Sequence, residues 1–128
     1  MENTGKILWT DMTVDNADEI RDFYSAVIGW KSEEIEMNKG EYYDFSMYSE
    51  DPTSPTAGIC NQKGPNKGLP TGWIVYFGVT DIKKSINRAM EFGGEILTEV
   101  REMPGYGLYC FLKDPNGHPF AIFQTTVS

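Results

Sequence analysis

Val14-Asp-Asn-Ala-Asp-Glu-Ile-Arg-Asp-Phe-Tyr-Ser-Ala-Val-Ile-Gly29 and Val79-Thr-Asp-Ile-Lys-Lys-Ser-Ile-Asn-Arg-Ala-Met-Glu-Phe-Gly-Gly94 are two stretches of one design. Each begins at the last valine of an apolar run, passes a residue able to cap a helix, and ends on glycine. Between these points Ala17, Ile20, Phe23, Tyr24, Val27 and Ile28 recur at helical spacing, as do Ile82, Ile86, Ala89 and Met90. Val14 and Val79 are 65 residues apart, and so are Gly29 and Gly94. A repeat of that length makes each half one supersecondary unit, and it governs every other assignment.

Working outward, Ile7 to Val14 reads as a strand, and Asn16 with Glu19 has the spacing of a capping box. Strands are expected at Trp30 to Met37, Glu41 to Ser49 and Ala57 to Asn61, with Asn38-Lys-Gly40 as a hairpin turn. Gln62 to Thr71 holds two glycines and two prolines and reads as a connecting loop. The pattern then restarts. Gly72 to Val79 is a strand, Asp81 caps a helix closed by Gly93-Gly94, and strands follow at Glu95 to Glu102, Leu108 to Lys113 and Pro119 to Thr125. The turns between these are Met103-Pro-Gly-Tyr-Gly107 and Asp114-Pro-Asn-Gly117. The order is βαβββ twice, which is α+β. It predicts one domain, 1–128, made of modules at about 1–61 and 72–128 joined by a linker at 62–71. One helix per module covers one sheet face. The other faces are expected to combine as a cupped mixed sheet around a cavity.

A chain of 128 residues with 40% hydrophobic and 13% aromatic side chains can bury a core. Its 11 basic and 19 acidic residues leave a net charge of −8. That argues against nucleic acid, whose phosphates call for a basic stripe, and against an anionic membrane surface. No run approaches the roughly 18 apolar residues of a membrane span. The start, Met1-Glu-Asn-Thr-Gly-Lys6, lacks the basic and apolar regions of an export signal, so a cytoplasmic protein is expected. Cys60 and Cys110 form either one bridge or two reduced thiols, and the expected compartment favours thiols.

Paired βαβββ modules resemble the vicinal oxygen chelate superfamily, which includes glyoxalase I, extradiol dioxygenases and the bleomycin resistance proteins. Val14-Asp-Asn with Phe23-Tyr24 and Gly29-Trp30 looks like the first β-α unit of that family. Val79-Thr-Asp81 with Gly93-Gly94 looks like the second, and Asp114-Pro-Asn-Gly117 with Phe120-Ala-Ile-Phe123 looks like the closing hairpin. The resemblance implies homodimers in many single-chain relatives. In metal-dependent members it implies a divalent ion held by His, Gln or Glu from the first and last strands of each module. The corresponding positions here are Trp9, Cys60, Ile74 and Ala121. Trp, Ile and Ala offer no donor, and a lone thiolate does not hold a catalytic ion. No metal and no cofactor is expected.

Strand alternation then sorts side chains by face. With Trp9 toward the cavity, Ile7, Asp11 and Thr13 follow it, as do Ile74 and Tyr76 in the second module and Ala121 and Phe123 at the end. Trp73, Val75, Phe77 and Val79 are expected on the helix side. The expected ligand wall is therefore Trp9, Asp11, Cys60, Ile74, Tyr76, Ala121 and Phe123, with Tyr106 on a glycine-flanked loop able to fold over the mouth. The same side chains could simply fill the space. Asp11 is the single charge on that wall. It suits a ligand's donor group or, with a raised pKa, general-base chemistry. His118 follows a tight turn and is expected to face solvent, and Glu33-Glu-Ile-Glu36 reads as a solvated strand edge. Two functions fit these residues. One is a protein that sequesters a small, partly aromatic ligand, as the bleomycin resistance proteins resembled here are thought to do, with the charge of −8 drawing a cation. The other is a metal-free lyase or isomerase, glyoxalase-like, using Asp11 as base and Tyr76 or Tyr106 as donor.

Overall fold

The computed structural model describes residues 3–125, and the outermost ends of the two expected modules lie outside that range. Contacts group the chain into two compact units, Thr10–Trp73, and Ile74 onward together with the segment that ends at Trp9. None of the described helices is long and apolar enough to cross a membrane.

In the amino-terminal unit, β1 (Ile7–Val14) leads into α1 (Ala17–Ile28), then β2 (Lys31–Met37), β3 (Tyr42–Tyr48) and β4 (Ala57–Asn61). The strand order is β2-β3-β4-β1, antiparallel except for the parallel pair β1–β4. Phe45 lies opposite Ile59 in that ladder, so both point to the α1 side, where they bury with Ala17 and Met47. Val14, Ile20, Tyr24, Trp30 and Trp73 close around this cluster. Trp73 thus departs from its expected place against the second helix. Its indole Nε1 donates to the Tyr24 hydroxyl at 3.1 Å, a partner that a buried indole N–H requires. α1 stops at Gly29, whose left-handed φ of 80° lets its N–H reach the Ser25 carbonyl. The expected capping box at its start is not formed. Asn16 has a φ of −128° and a ψ of 55°, which leaves its side chain bonded to the Glu19 carboxylate instead of to a helix N–H. β2, with Glu33, Glu34 and Glu36 exposed, is the solvated edge that its sequence suggests.

In the carboxy-terminal unit, β5 (Gly72–Gly78) precedes α2 (Ile82–Glu91), β6 (Glu95–Ile96), β7 (Arg101–Met103), β8 (Gly107–Lys113) and β9 (Pro119–Thr125). β5 pairs parallel with β9, β9 antiparallel with β8, and both β6 and β7 lie antiparallel on β8. The first and last strands of the module are again the parallel pair. Ile82, Cys110, Leu112 and Ile122 bury on the α2 side with Ile86 and Ala89. Asp81 caps α2, its carboxylate accepting from the Lys84 N–H at 3.1 Å. α2 ends one residue before the two glycines, with Phe92 as cap and Gly93 at a φ of 91°.

The strand expected over Glu95 to Glu102 is two strands. At the break the Phe111 N–H donates to the Thr98 hydroxyl, while the Phe111 carbonyl accepts from both Leu97 and Thr98. A side-chain oxygen has taken the place of a ladder carbonyl, so the pairing cannot run through. The 65-residue repeat has a buried counterpart: Ala17 and Ile82, each the first helical residue of its module, are both 1% exposed. The expected linker carries a short 3-10 turn, Gly64–Asn66, and Leu69 buries within it.

Candidate functional site

The carboxy-terminal unit carries an aromatic series on the sheet face opposite α2. Tyr76 lies across from Ala121, Ala121 across from Phe111, and Phe123 across from Tyr109. Side chains that face one another in a ladder share a face, so these five are neighbours. The Tyr76 and Phe111 rings meet edge to face at 5.7 Å, and Tyr109 meets Phe111 at 5.9 Å in the same way. Tyr109 and Phe123 lie nearly parallel, 12° apart, with centroids 6.3 Å apart. Arg101 sits opposite Tyr109 on β7, and its guanidinium carbon is 5.9 Å from the Phe111 ring centre.

The series divides by exposure. Ile74, Ala121 and Phe111 are at 0%, 0% and 2%, and Tyr76 is at 8%. These residues fill space, the plain alternative to lining a site. Tyr109, Phe123 and Arg101 are half-buried and present accessible surface. Tyr106 stands apart from them, 66% exposed in the turn between β7 and β8. Trp9 is half-buried, whereas Ile7, expected on the cavity side, is 70% exposed because it opens the strand.

The amino-terminal unit carries a different face. Asp11 and Thr13 lie on it from β1 and Cys60 from β4, since Thr13 and Cys60 are paired in register. Asp44 joins them from β3. Its carboxylate accepts from the Asn61 N–H and from Asn61 Nδ2, each at 2.9 Å, and from the Cys60 thiol. Burial pushes the Cys60 thiol strongly up from its usual pKa, and the Asp11 and Asp44 carboxylates push it further. A thiol so placed is a poor nucleophile and a poor ligand, because both roles need the thiolate. In native protein at pH 8, iodoacetamide is expected to leave Cys60 and Cys110 unmodified over times that alkylate both in urea. Asp11→Asn should speed the Cys60 reaction. Intact-mass measurement checks both, and rapid native labelling at Cys60 would contradict this environment. Neither cysteine is bridged.

A family-type divalent ion does not fit these residues. Of the corresponding positions, Ile74 and Ala121 have no donor and are fully buried, Trp9 has none, and Cys60 is held as the thiol. No group of three or more His, Cys, Asp or Glu side chains that could hold a metal exists among the described residues. His118, the sole histidine, is 76% exposed with its Nδ1 3.6 Å from Asp114 Oδ2.

Tyr109, Phe111 and Arg101 on the face of the carboxy-terminal unit, and Asp44 on the face of the amino-terminal unit, are neighbours that the sequence reading did not name. The alternation of Tyr109 and Phe111 along β8 was a usable signal. Arg101 and Asp44 had none, since each depends on which strand lies beside it.

The sequence model of the Glyoxalase/Bleomycin resistance protein/Dioxygenase superfamily matches residues 6–122. A Mycobacterium tuberculosis protein named "Putative glyoxylase CFP32" is 28% identical over 124 residues, which are 97% of this chain and 46% of that protein. The chain therefore spans about half the length of this curated relative. Methylmalonyl-CoA epimerase from Mycobacterium tuberculosis superposes with a TM-score of 0.58 at 14% identity, covering 99% of this chain and 93% of that one. A superfamily member from Vibrio splendidus 12B01 gives 0.59 at 13% identity, covering 91% and 96%. At such identities these two likenesses are of fold.

Proposed function

The chain belongs to the glyoxalase/bleomycin resistance protein/dioxygenase superfamily, and from that footing we propose that it binds a small, partly aromatic molecule without a metal ion. The observation that carries this reading is the pair Tyr109 and Phe123, two half-buried aromatic residues whose rings lie nearly parallel on one sheet face, with Arg101 across the ladder from Tyr109. Such surfaces take planar ligands by stacking, with contact areas large enough to matter for a ligand of this size. The misfit of the metal positions supports ligand capture over ion-dependent chemistry.

A thermal-shift screen of aromatic metabolites and drugs tests it. A ligand at a hundred times its dissociation constant stabilises by about 2.7 kcal/mol, several degrees for a domain of this size. The expected result is a hit that Phe123→Ala and Tyr109→Ala each weaken, with the compound recovered unchanged. Hits indifferent to both substitutions would put the site elsewhere.

A second reading, a metal-free lyase or isomerase, draws on Asp11. Its carboxylate is half-buried on the face of the amino-terminal unit and close enough to act on Cys60. The name of the mycobacterial relative, a putative glyoxylase, also points to an enzyme. Conversion of the compound, lost in Asp11→Asn while binding persists, would establish this reading instead.

A further inference from the structure

A hollow of about 570 Å³ opens in the amino-terminal unit, where the β2–β3 hairpin meets the loop that follows β4. That volume falls in the range of small-molecule sites. Asn38, Glu41 and Tyr42 line it from the hairpin, and Lys63, Gly64 and Lys67 from the loop. In a chain of net charge −8, this lining sets two ammonium groups against one carboxylate. That carboxylate, Glu41, already accepts from the Asn38 side-chain amide. Neither lysine has a carboxylate within ion-pair distance among the described residues. The loop beneath them is tied down. The Gln62 N–H donates to the Val14 carbonyl at 2.9 Å, Gln62 Nε2 to the Leu69 carbonyl at 2.7 Å, and the Lys67 N–H to the Gly64 carbonyl at 3.1 Å. Lys63 Nζ stands 5.1 Å from the centre of the Tyr42 ring, which steadies it. Both ammonium stems therefore leave a fixed backbone, and that lowers the ordering cost of binding. Gly64 has a left-handed φ of 56°, and a Cβ there would stand 2.9 Å from the Tyr42 hydroxyl oxygen. The hydroxyl reaches the loop only because residue 64 is glycine, and it makes no hydrogen bond among the described residues.

We propose that this hollow binds a small organic phosphate monoester, its phosphoryl group held by the Lys63 and Lys67 ammonium groups with the Tyr42 hydroxyl donating to it. Two compact point charges match a dianion with three acceptor oxygens, whereas a flat carboxylate is better met by the planar fork of an arginine. The volume leaves room for an organic part beyond the phosphoryl group. The net charge of −8 repels an anion only at long range, which salt screens within about 8 Å, and the lysines act at contact. The proposal does not depend on the reading of Tyr109 and Phe123.

Three probes separate the terms: phenyl phosphate, phenyl sulfate of the same shape with one charge less, and inorganic phosphate. Dissociation constants are measured by calorimetry at pH 8, where the monoester is a dianion. Wild type should bind phenyl phosphate several-fold more tightly than either other probe. Lys63→Met and Lys67→Met should each weaken phenyl phosphate about tenfold, the scale of one charge-assisted contact. Tyr42→Phe, which keeps the ring under Lys63, should weaken it less. Lys31→Met, on β2 and outside the lining, changes the net charge equally and should leave affinity unchanged. Glu41→Gln removes the one carboxylate of the lining and should tighten binding, a gain that no loss of folding can mimic. The proposal is overturned if phenyl phosphate fails to bind at millimolar concentration, or if Lys63→Met and Lys67→Met weaken it no more than Lys31→Met does. Equal affinity for phenyl sulfate would overturn the choice of a dianion, and equal affinity for inorganic phosphate the choice of an ester. Weaker binding in Glu41→Gln would also contradict it, since the carboxylate would then be part of the grip.

Discussion

Phe45→Ala should remove a large part of the stability of this protein. The ring is 1% exposed at the centre of the amino-terminal core, between Ala17, Met47 and Ile59, and it faces Ile59 directly across the β3–β4 ladder. Strands on either side hold its neighbours, so the space cannot collapse when the ring is deleted. Such Phe to Ala changes cost about 3–5 kcal/mol. The Arg21 guanidinium, 4.4 Å from the ring centre, loses its platform as well, for about 0.5–1 kcal/mol more. A domain of this kind has about 5–15 kcal/mol in all. Urea unfolding should show the midpoint moving sharply down with its slope unchanged, and Phe45→Leu should lose much less. A midpoint within error of wild type would mean that this ring does not hold the α1 layer to the sheet.

Gly107→Ala should be costly for a different reason, one that no rotamer can relieve. A Cβ at this position would lie 2.1 Å from the Gln124 carbonyl oxygen and 3.0 Å from Phe123 Cε1. Gly107 pairs with Thr125, so the obstruction is the backbone of β9 itself. The strands must part where β8 begins, or the turn Met103-Pro-Gly-Tyr-Gly107 must shift to let them. Overpacking costs about 1–3 kcal/mol where side chains can adjust, and a backbone obstruction belongs at the upper end. The same change pushes on Phe123, one of the two accessible rings. Gly107→Ala is therefore expected to lower both the melting temperature and the affinity for an aromatic ligand, while Gly105→Ala, strained by its left-handed φ of 82° but with open space at its Cβ, lowers the melting temperature and leaves affinity unchanged. Wild-type affinity in Gly107→Ala would show that the ladder opens without disturbing the rings.

Much of the fold is readable from residue order because its signals are local. Helical spacing from Ala17 to Ile28, the glycine at 29 and the 65-residue return of the pattern each depend on a few neighbouring residues. So does strand alternation, which placed Ile74, Tyr76, Ala121 and Phe123 on one face. Where the reading went astray, the deciding partner was remote in sequence. Trp73 turned to Tyr24, 49 residues away, and the strand at Glu95 broke because Thr98 bonded Phe111. The capping box expected at Asn16 and Glu19 was a local reading, but the conformation of Asn16 overrode its spacing.

The sequence by itself determined the family, the two-module order and the lack of ligating side chains at the metal positions, since each is a matter of residue type and spacing. The tertiary structure decided which members of the expected wall are accessible and what stands beside them. Residue type does not say that Ile74 and Ala121 are sealed while Phe123 is not. Nor does it say that Arg101 meets Tyr109 or that Asp44 meets Cys60. Those neighbours are set by the register of β7 on β8 and of β3 on β4, and a shift of one residue would turn each side chain to the opposite face.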